Sequence, residues 1–177
     1  MIDRTILVSQ SDIPWRGHIE FLGKQYPCAL GKAGVTARKR EGDHKSPLGR
    51  FALRELLYRP DRFKEAPETG LITRPLAPED GWCDDPADVQ YNRPVTLPYP
   101  ASAERLWRQD DVYDLIIPLG YNDDPAVPGL GSAIFMHIAR PDLSGTEGCV
   151  ALSRADLIDL LRAVNPATML KIKPCSG

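Results

Sequence analysis

Nowhere in this 177-residue chain do about 18 apolar residues run together, so no transmembrane helix is expected and no membrane insertion follows. The opening stretch, Met1-Ile2-Asp3-Arg4-Thr5-Ile6-Leu7-Val8-Ser9, carries an acid early and too short an apolar run for a signal peptide. The expected location is therefore the cytoplasm, or the periplasm if a longer leader was removed. A charge of one sign is missing too. With 22 Lys and Arg against 24 Asp and Glu, the formal charge of −2 sets up no general field for nucleic acid or anionic lipid. The densest basic run, Arg38-Lys39-Arg40, is followed at once by Glu41 and Asp43 and reads as a solvated turn. Histidine is scarce: three residues without ligand-like spacing imply no metal site, and no cofactor motif is present. Cysteine is scarce as well. Cys28, Cys83, Cys149 and Cys175 include no C-x-x-C pair, so free thiols are expected.

What is abundant is punctuation. Seventeen prolines and fourteen glycines nearly exclude long helices and favour many short strands. A 42% hydrophobic content is enough for a packed core, and the absence of repeats or low-complexity tracts gives a single domain over 1–177. The expected class is mainly β with short helices (α+β). Thr5–Gln10, His18–Leu22 and Tyr26–Leu30 read as a strand meander, followed by a strand at Arg50–Tyr58. Residues 60–100 read as a long irregular insertion, and Ser102–Gln109 as a short helix capped by Ser102. Strands are expected at Val112–Leu119, Ser132–Ala139 and Met169–Lys173. Ser153 caps a helix reaching Val164, with Leu157, Leu160, Leu161 and Val164 as its apolar stripe.

One segment combines chemistry with spacing. In the strand Ser132–Ala139, period-two alternation puts Ile134, Met136 and Ile138 on one face and Phe135, His137 and Ala139 on the other. The loop from Arg140 to Gly145 then turns the chain back, so that Thr146-Glu147-Gly148-Cys149 comes beside His137. A thiol of pKa about 8.5 is mostly protonated at neutral pH; a neighbouring imidazolium favours the thiolate, which attacks an acyl carbon. Gly148 allows close backbone approach, and its N–H and that of Cys149 are candidate donors to an oxyanion. Spacing alone does not settle the pair: a lone Cys such as Cys149 is more often a small buried hydrophobe, and a lone His such as His137 a satisfied core residue.

This segment resembles the catalytic region of the YkuD-type L,D-transpeptidases, where a strand histidine precedes an S/T-H-G-C block. Thr146, Gly148 and Cys149 match the block, and His137 matches the upstream histidine. A second stretch, Gly42-Asp43-His44-Lys45-Ser46-Pro47-Leu48-Gly49-Arg50-Phe51, is similar to the family's G-D-x-K-T-P-x-G-x-F signature. The likeness runs over residues 25–173. Glu147 stands where the family has a second histidine, Ala151 where a polar residue is common, and the loop between His137 and Cys149 is short.

The resemblance implies a YkuD-like β-sandwich catalytic domain, with Cys149 as nucleophile, His137 as base and peptidoglycan stem peptides or muropeptides as partners. The implied reaction severs the bond between a diamino acid and a terminal D-Ala. The acyl-enzyme is then released to water (an L,D-carboxypeptidase in wall recycling, the favoured reading) or to an amine (a transpeptidase). Arg140 is placed to hold a substrate carboxylate. Thr146 belongs to the substrate side, and Glu147 either binds a substrate amine or is solvated. Trp82, Tyr91 and Asn92, with Arg93, either line a cleft or pack a long loop. Lys45 and Ser46 read as structural, and His18 and His44 as surface residues. A backbone carbonyl is the expected orienter of His137. Two other classes stay open: a non-catalytic muropeptide-binding module, and a different cysteine hydrolase such as an amidase.

Overall fold

The computed structural model describes residues 4–175. Three strands open the chain: β1 (Thr5–Gln10), β2 (Arg16–Phe21) and β3 (Lys24–Ala29). β2 and β3 pair antiparallel across the two-residue loop Leu22-Gly23, whose φ values of 48° and 80° are those of the tight hairpin turn that matches strand twist. Then come β4 (Val35–Thr36), β5 (Ser46–Pro47), β6 (Gly49–Ala52), β7 (Leu56–Tyr58) and β8 (Thr73–Pro75). β9 (Asp80–Cys83), β10 (Pro94–Thr96) and β11 (Ala103–Arg105) follow. The chain closes with β12 (Leu115–Pro118), β13 (Phe135–Ile138), β14 (Val150–Leu152), α1 (Arg154–Leu161) and β15 (Met169–Lys173).

Ten strands form one mixed sheet in the order β6-β15-β1-β2-β3-β14-β13-β12-β7-β8. Chain connectivity forces it to curl. β6 and β7 are eight inter-strand steps apart, about 38 Å if the sheet were flat. Only residues 53–55 join them, a reach of at most about 14 Å. The ends of the sheet therefore come together, and Leu53 bridges to Leu119 and Arg54 N–H donates to the Pro118 carbonyl at the seam. The mainly β class with one short helix is thus what the chain adopts, and the expected sandwich takes the form of a single curled sheet.

The core sits inside that curl. Ile6, Val8, Ile19, Phe21 and Cys28 pack with Leu157, Leu160 and Leu161 of α1. The Ser153 hydroxyl accepts the Asp156 N–H, as the cap pattern demands. β12 and β13 are buried at every position, because both faces of the sheet are covered where they run. The alternation in β13 holds: Ile134, Met136 and Ile138 join the main core, while Phe135 joins a second cluster with Cys149, Tyr113 and Leu106.

Three expectations are corrected. Ser102–Gln109 is not a helix; Ala103–Arg105 is strand β11, paired antiparallel with β9, and this pairing overrides the helix-forming composition of the run. Arg50–Tyr58 is not one strand but two, β6 and β7, which go to different ends of the sheet. Residues 60–100 are not irregular throughout, since β9 and β10 lie there and form a separate three-stranded sheet with β11. Ion pairs tie the segment that leads into the insertion, the residue preceding β12 and α1 together. The Asp114 side chain, 1% exposed, is bridged by Arg62 at the start of the insertion and by Arg154 of α1.

Candidate active site

β13 and β14 run side by side in parallel, with His137 opposite Ala151. Cys149 lies two residues before Ala151, so its side chain projects from the same face of the sheet as that of His137. Both line one cavity of about 400 Å³. The thiol is enclosed by backbone: Sγ donates to the Ala133 carbonyl at 3.3 Å and accepts the Phe135 N–H at 3.4 Å. His137 is only 8% exposed. Its Nδ1 is 2.8 Å from the Ile138 carbonyl, which can only accept, so the proton sits on Nδ1 and Nε2 carries the free lone pair. The Tyr113 ring stands edge-on to the imidazole, centroids 5.2 Å apart.

Burial governs the acid–base state of the pair. Loss of water pushes the Cys149 thiol up to about 12, against the smaller opposing effect of the Phe135 N–H. It pushes His137 down to about 4, helped by the positive charges of Arg108 and Arg140 and opposed by the Ile138 carbonyl. The resting pair is a neutral thiol beside a neutral imidazole, not the thiolate–imidazolium pair expected from the sequence. In these protonation states the chemistry open to the cavity is a concerted one, a thiol losing its proton only as it attacks, and Nε2 is the ring nitrogen with a lone pair to take it.

The loop carrying Cys149 is held by both sequence motifs at once. Thr146 Oγ1 donates to the Cys149 carbonyl at 2.8 Å and accepts the Gly148 N–H at 3.1 Å. Gly148 has φ 141°, and a Cβ there would lie 2.8 Å from the Lys45 carbonyl oxygen, so no side chain fits. Fully buried Ser46 donates to the Cys149 carbonyl at 3.2 Å and accepts the Gly31 N–H at 2.9 Å. The first motif therefore serves as a brace for the second. One expectation changes: the Gly148 N–H is engaged by Thr146 rather than held open for an oxyanion, which leaves Cys149 N–H as the donor outside this clamp.

The remaining candidates divide. Arg140 and Glu147 line the cavity with Thr146. Glu147 pairs with Lys32 at 2.8 Å and with Nδ1 of His44, and its side chain stays 71% exposed. Trp82, Tyr91 and Asn92 stand behind the cavity wall instead of lining it. Buried Asn92 accepts from Trp82 Nε1 at 2.9 Å and from Ala133 N–H at 3.0 Å, and donates to the carbonyls of Tyr121 and Asn122. It thereby fixes Ala133, whose φ of 53° is unusual for a non-glycine and whose carbonyl accepts the hydrogen bond of the thiol. Tyr91 accepts the Gly131 N–H at 2.9 Å and donates to Glu41, and its neighbour Ser132 also donates to Glu41.

Several cavity residues had no sequence signal. Glu104, Arg108 and Tyr113 come from the inserted sheet and the approach to β12. Lys39 is not solvated as its basic run suggested. Its side chain is 5% exposed, paired to Asp43 at 2.6 Å, and it lines the cavity. The acids that followed the run were the hint: Asp43 folds back onto Lys39 instead of facing water.

A profile of the L,D-transpeptidase catalytic domain (YkuD) matches residues 7–172, nearly the whole chain. The chain belongs to this family. Among solved structures, L,D-transpeptidase 1 of Mycobacterium tuberculosis is similar at 13% identity and a TM-score of 0.39. That alignment covers 96% of this chain and 59% of the mycobacterial one, so this L,D-transpeptidase-family chain spans about three-fifths of that protein's length. No curated protein sequence matches.

Proposed function

We propose that this L,D-transpeptidase-family chain is a cysteine acyl-transfer enzyme on peptidoglycan stem peptides, with Cys149 as nucleophile, His137 as base and water as the preferred acceptor. The observation that carries the reading is the buried Cys149 and His137 in one cavity, with the imidazole tautomer set by Ile138. Cys149 Sγ attacks the carbonyl of the diamino acid as its proton passes to Nε2 of His137, and the Cys149 N–H faces the developing oxyanion. On collapse, His137 returns that proton to the departing D-Ala amine, leaving a thioester. Water, deprotonated by the same nitrogen, attacks the thioester; the tripeptide leaves as a carboxylic acid and the thiol is restored. Arg140 at the cavity wall binds a peptide carboxylate.

Two features support water over an amine. A cavity of about 400 Å³ sits near the small end of the ~300–1,000 Å³ range for ligand sites, which suits an acceptor as small as water. In addition, Glu147, where the family has a second histidine, is already bound by Lys32 and His44. Water as acceptor makes the enzyme an L,D-carboxypeptidase that trims recovered muropeptides, a cytoplasmic task. The transpeptidase reading draws on the same Glu147, whose 71% exposed side chain is able to receive an incoming amine. Product analysis of a tetrapeptide stem ending in D-Ala separates them. Tripeptide plus free D-Ala is the expected result; cross-linked dimers or exchanged D-amino acids as main product would make the enzyme a transpeptidase.

A further inference from the structure

The inserted three-stranded sheet puts two carboxylates at the cavity that the proton transfers above do not use. Glu104 lies on β11 opposite Trp82 of β9, and Asp84 follows directly after β9, its N–H donating to the Ser102 carbonyl. Both line the cavity that holds Cys149 and His137. Glu104 Oε1 accepts the Tyr113 hydroxyl at 2.6 Å, which leaves its other oxygen without a protein donor among the described residues. Asp84 is half-buried; its Oδ1 atom is shielded and has no hydrogen-bond partner among the described residues. Arg108, a cation of the same segment that also lines the cavity, is held by Asp110 through two bonds of 2.8 and 2.6 Å.

A buried carboxylate oxygen without a donor costs free energy, and a second carboxylate on the same cavity makes the Glu104 anion less stable. Burial, with Asp84 adding to it, accordingly pushes the Glu104 carboxyl above its usual range, against the Tyr113 hydroxyl and Arg108. A ligand cation with several N–H donors relieves both groups at once. A primary ammonium has that chemistry; a carboxylate or neutral side chain does not.

Granted the acyl-peptide chemistry at Cys149, we propose that Glu104 and Asp84 form the subsite for the free ammonium on the side chain of the donor peptide's diamino acid. The subsite makes the enzyme selective for donors whose side-chain amine is uncapped. It belongs to the inserted sheet rather than to the strands that carry nucleophile and base, so selectivity and chemistry reside on separate elements.

The test compares two tetrapeptides ending in D-Ala, one with the side-chain amine free and one with it N-acetylated. Wild type is expected to show kcat/KM at least about tenfold higher for the free amine, the scale of one charged hydrogen bond. In Glu104→Gln the ratio is expected to fall to about one, and in Asp84→Asn to fall part of the way. Calorimetric binding of both peptides to Cys149→Ala, with and without Glu104→Gln, gives a readout independent of turnover. Turnover of both peptides at equal rates by wild type would overturn the subsite and leave the acyl-transfer reading intact. Amine-selective binding that Glu104→Gln abolishes, with no turnover of either peptide, would uphold the subsite while the acyl-transfer reading fails. Binding without amine selectivity and without turnover would sink both. Should Glu104→Gln not fold, an unchanged ratio in Asp84→Asn would overturn the subsite.

Discussion

Withdrawal from water does more to His137 than any neighbour does. Its pKa of about 4 means that the base is neutral and competent from there upward, while the Cys149 thiol stays protonated until about 12. Turnover is therefore expected to be nearly flat in kcat/KM from pH 5 to about 10, falling only as His137 protonates; a steep rise between pH 7 and 9 would instead indicate a free thiolate as the reacting form. The same shift is a stability statement. Between 6.5 and about 4 the unfolded chain binds a proton that the folded chain refuses, so stability falls as pH drops through that window. Urea unfolding of wild type is expected to lose about 2 kcal/mol more than His137→Gln between pH 7 and 5. Equal losses would show that His137 is not held neutral. Among the cysteines, Cys149→Ala is expected to abolish activity with the fold intact, and Cys83→Ala, buried in β9, to leave most of it. Similar losses in both would remove Cys149 from its role.

The elements hold the loop between β13 and β14 from two sides. Gly148 abuts the Lys45 carbonyl, and Gly148→Ala must shift either the loop or its brace. Activity is expected to drop at least about tenfold with a melting temperature lower by several degrees, since misplacing a reacting atom by an ångström already costs more than that. A variant as active and stable as wild type would show that the brace does not set the thiol. A second joint is Asp114, which ties the inserted segment and α1 to β12 through Arg62 and Arg154. Asp114→Ala leaves two guanidinium groups without their shared anion, and chemical denaturation is expected to report a loss of about 3 kcal/mol. A loss under 1 kcal/mol would mean that water replaces the carboxylate freely.

For the molecule as a whole, legibility followed sequence distance. β1, β15 and α1 were readable because alternation, a cap and a closing apolar run are local signals. That Cys149 and His137 come together was readable because a short loop joins β13 to β14, whereas the roles proposed for them rest on the resemblance, since spacing alone left both readable as buried core residues. The curl of the sheet was not, since it depends on β6 and β7 parting to distant positions across three residues. Nor was the inserted sheet, whose strands of three or four residues carry too little pattern to stand against the prolines around them. Glu104 was hidden with it, on a run whose composition favours a helix until β9 pairs with it.

In the proposed reaction, peptide acyl groups pass through a thioester on Cys149. Intact-protein mass spectrometry after acid quench, within the first turnovers on a tetrapeptide stem, detects that intermediate. The expected result is a mass increase equal to the tripeptidyl group, mapped to Cys149 and not to Cys28, Cys83 or Cys175, and absent from Cys149→Ala. Release of D-Ala by Cys149→Ala at the wild-type rate, or an adduct mapped to another residue, would contradict it.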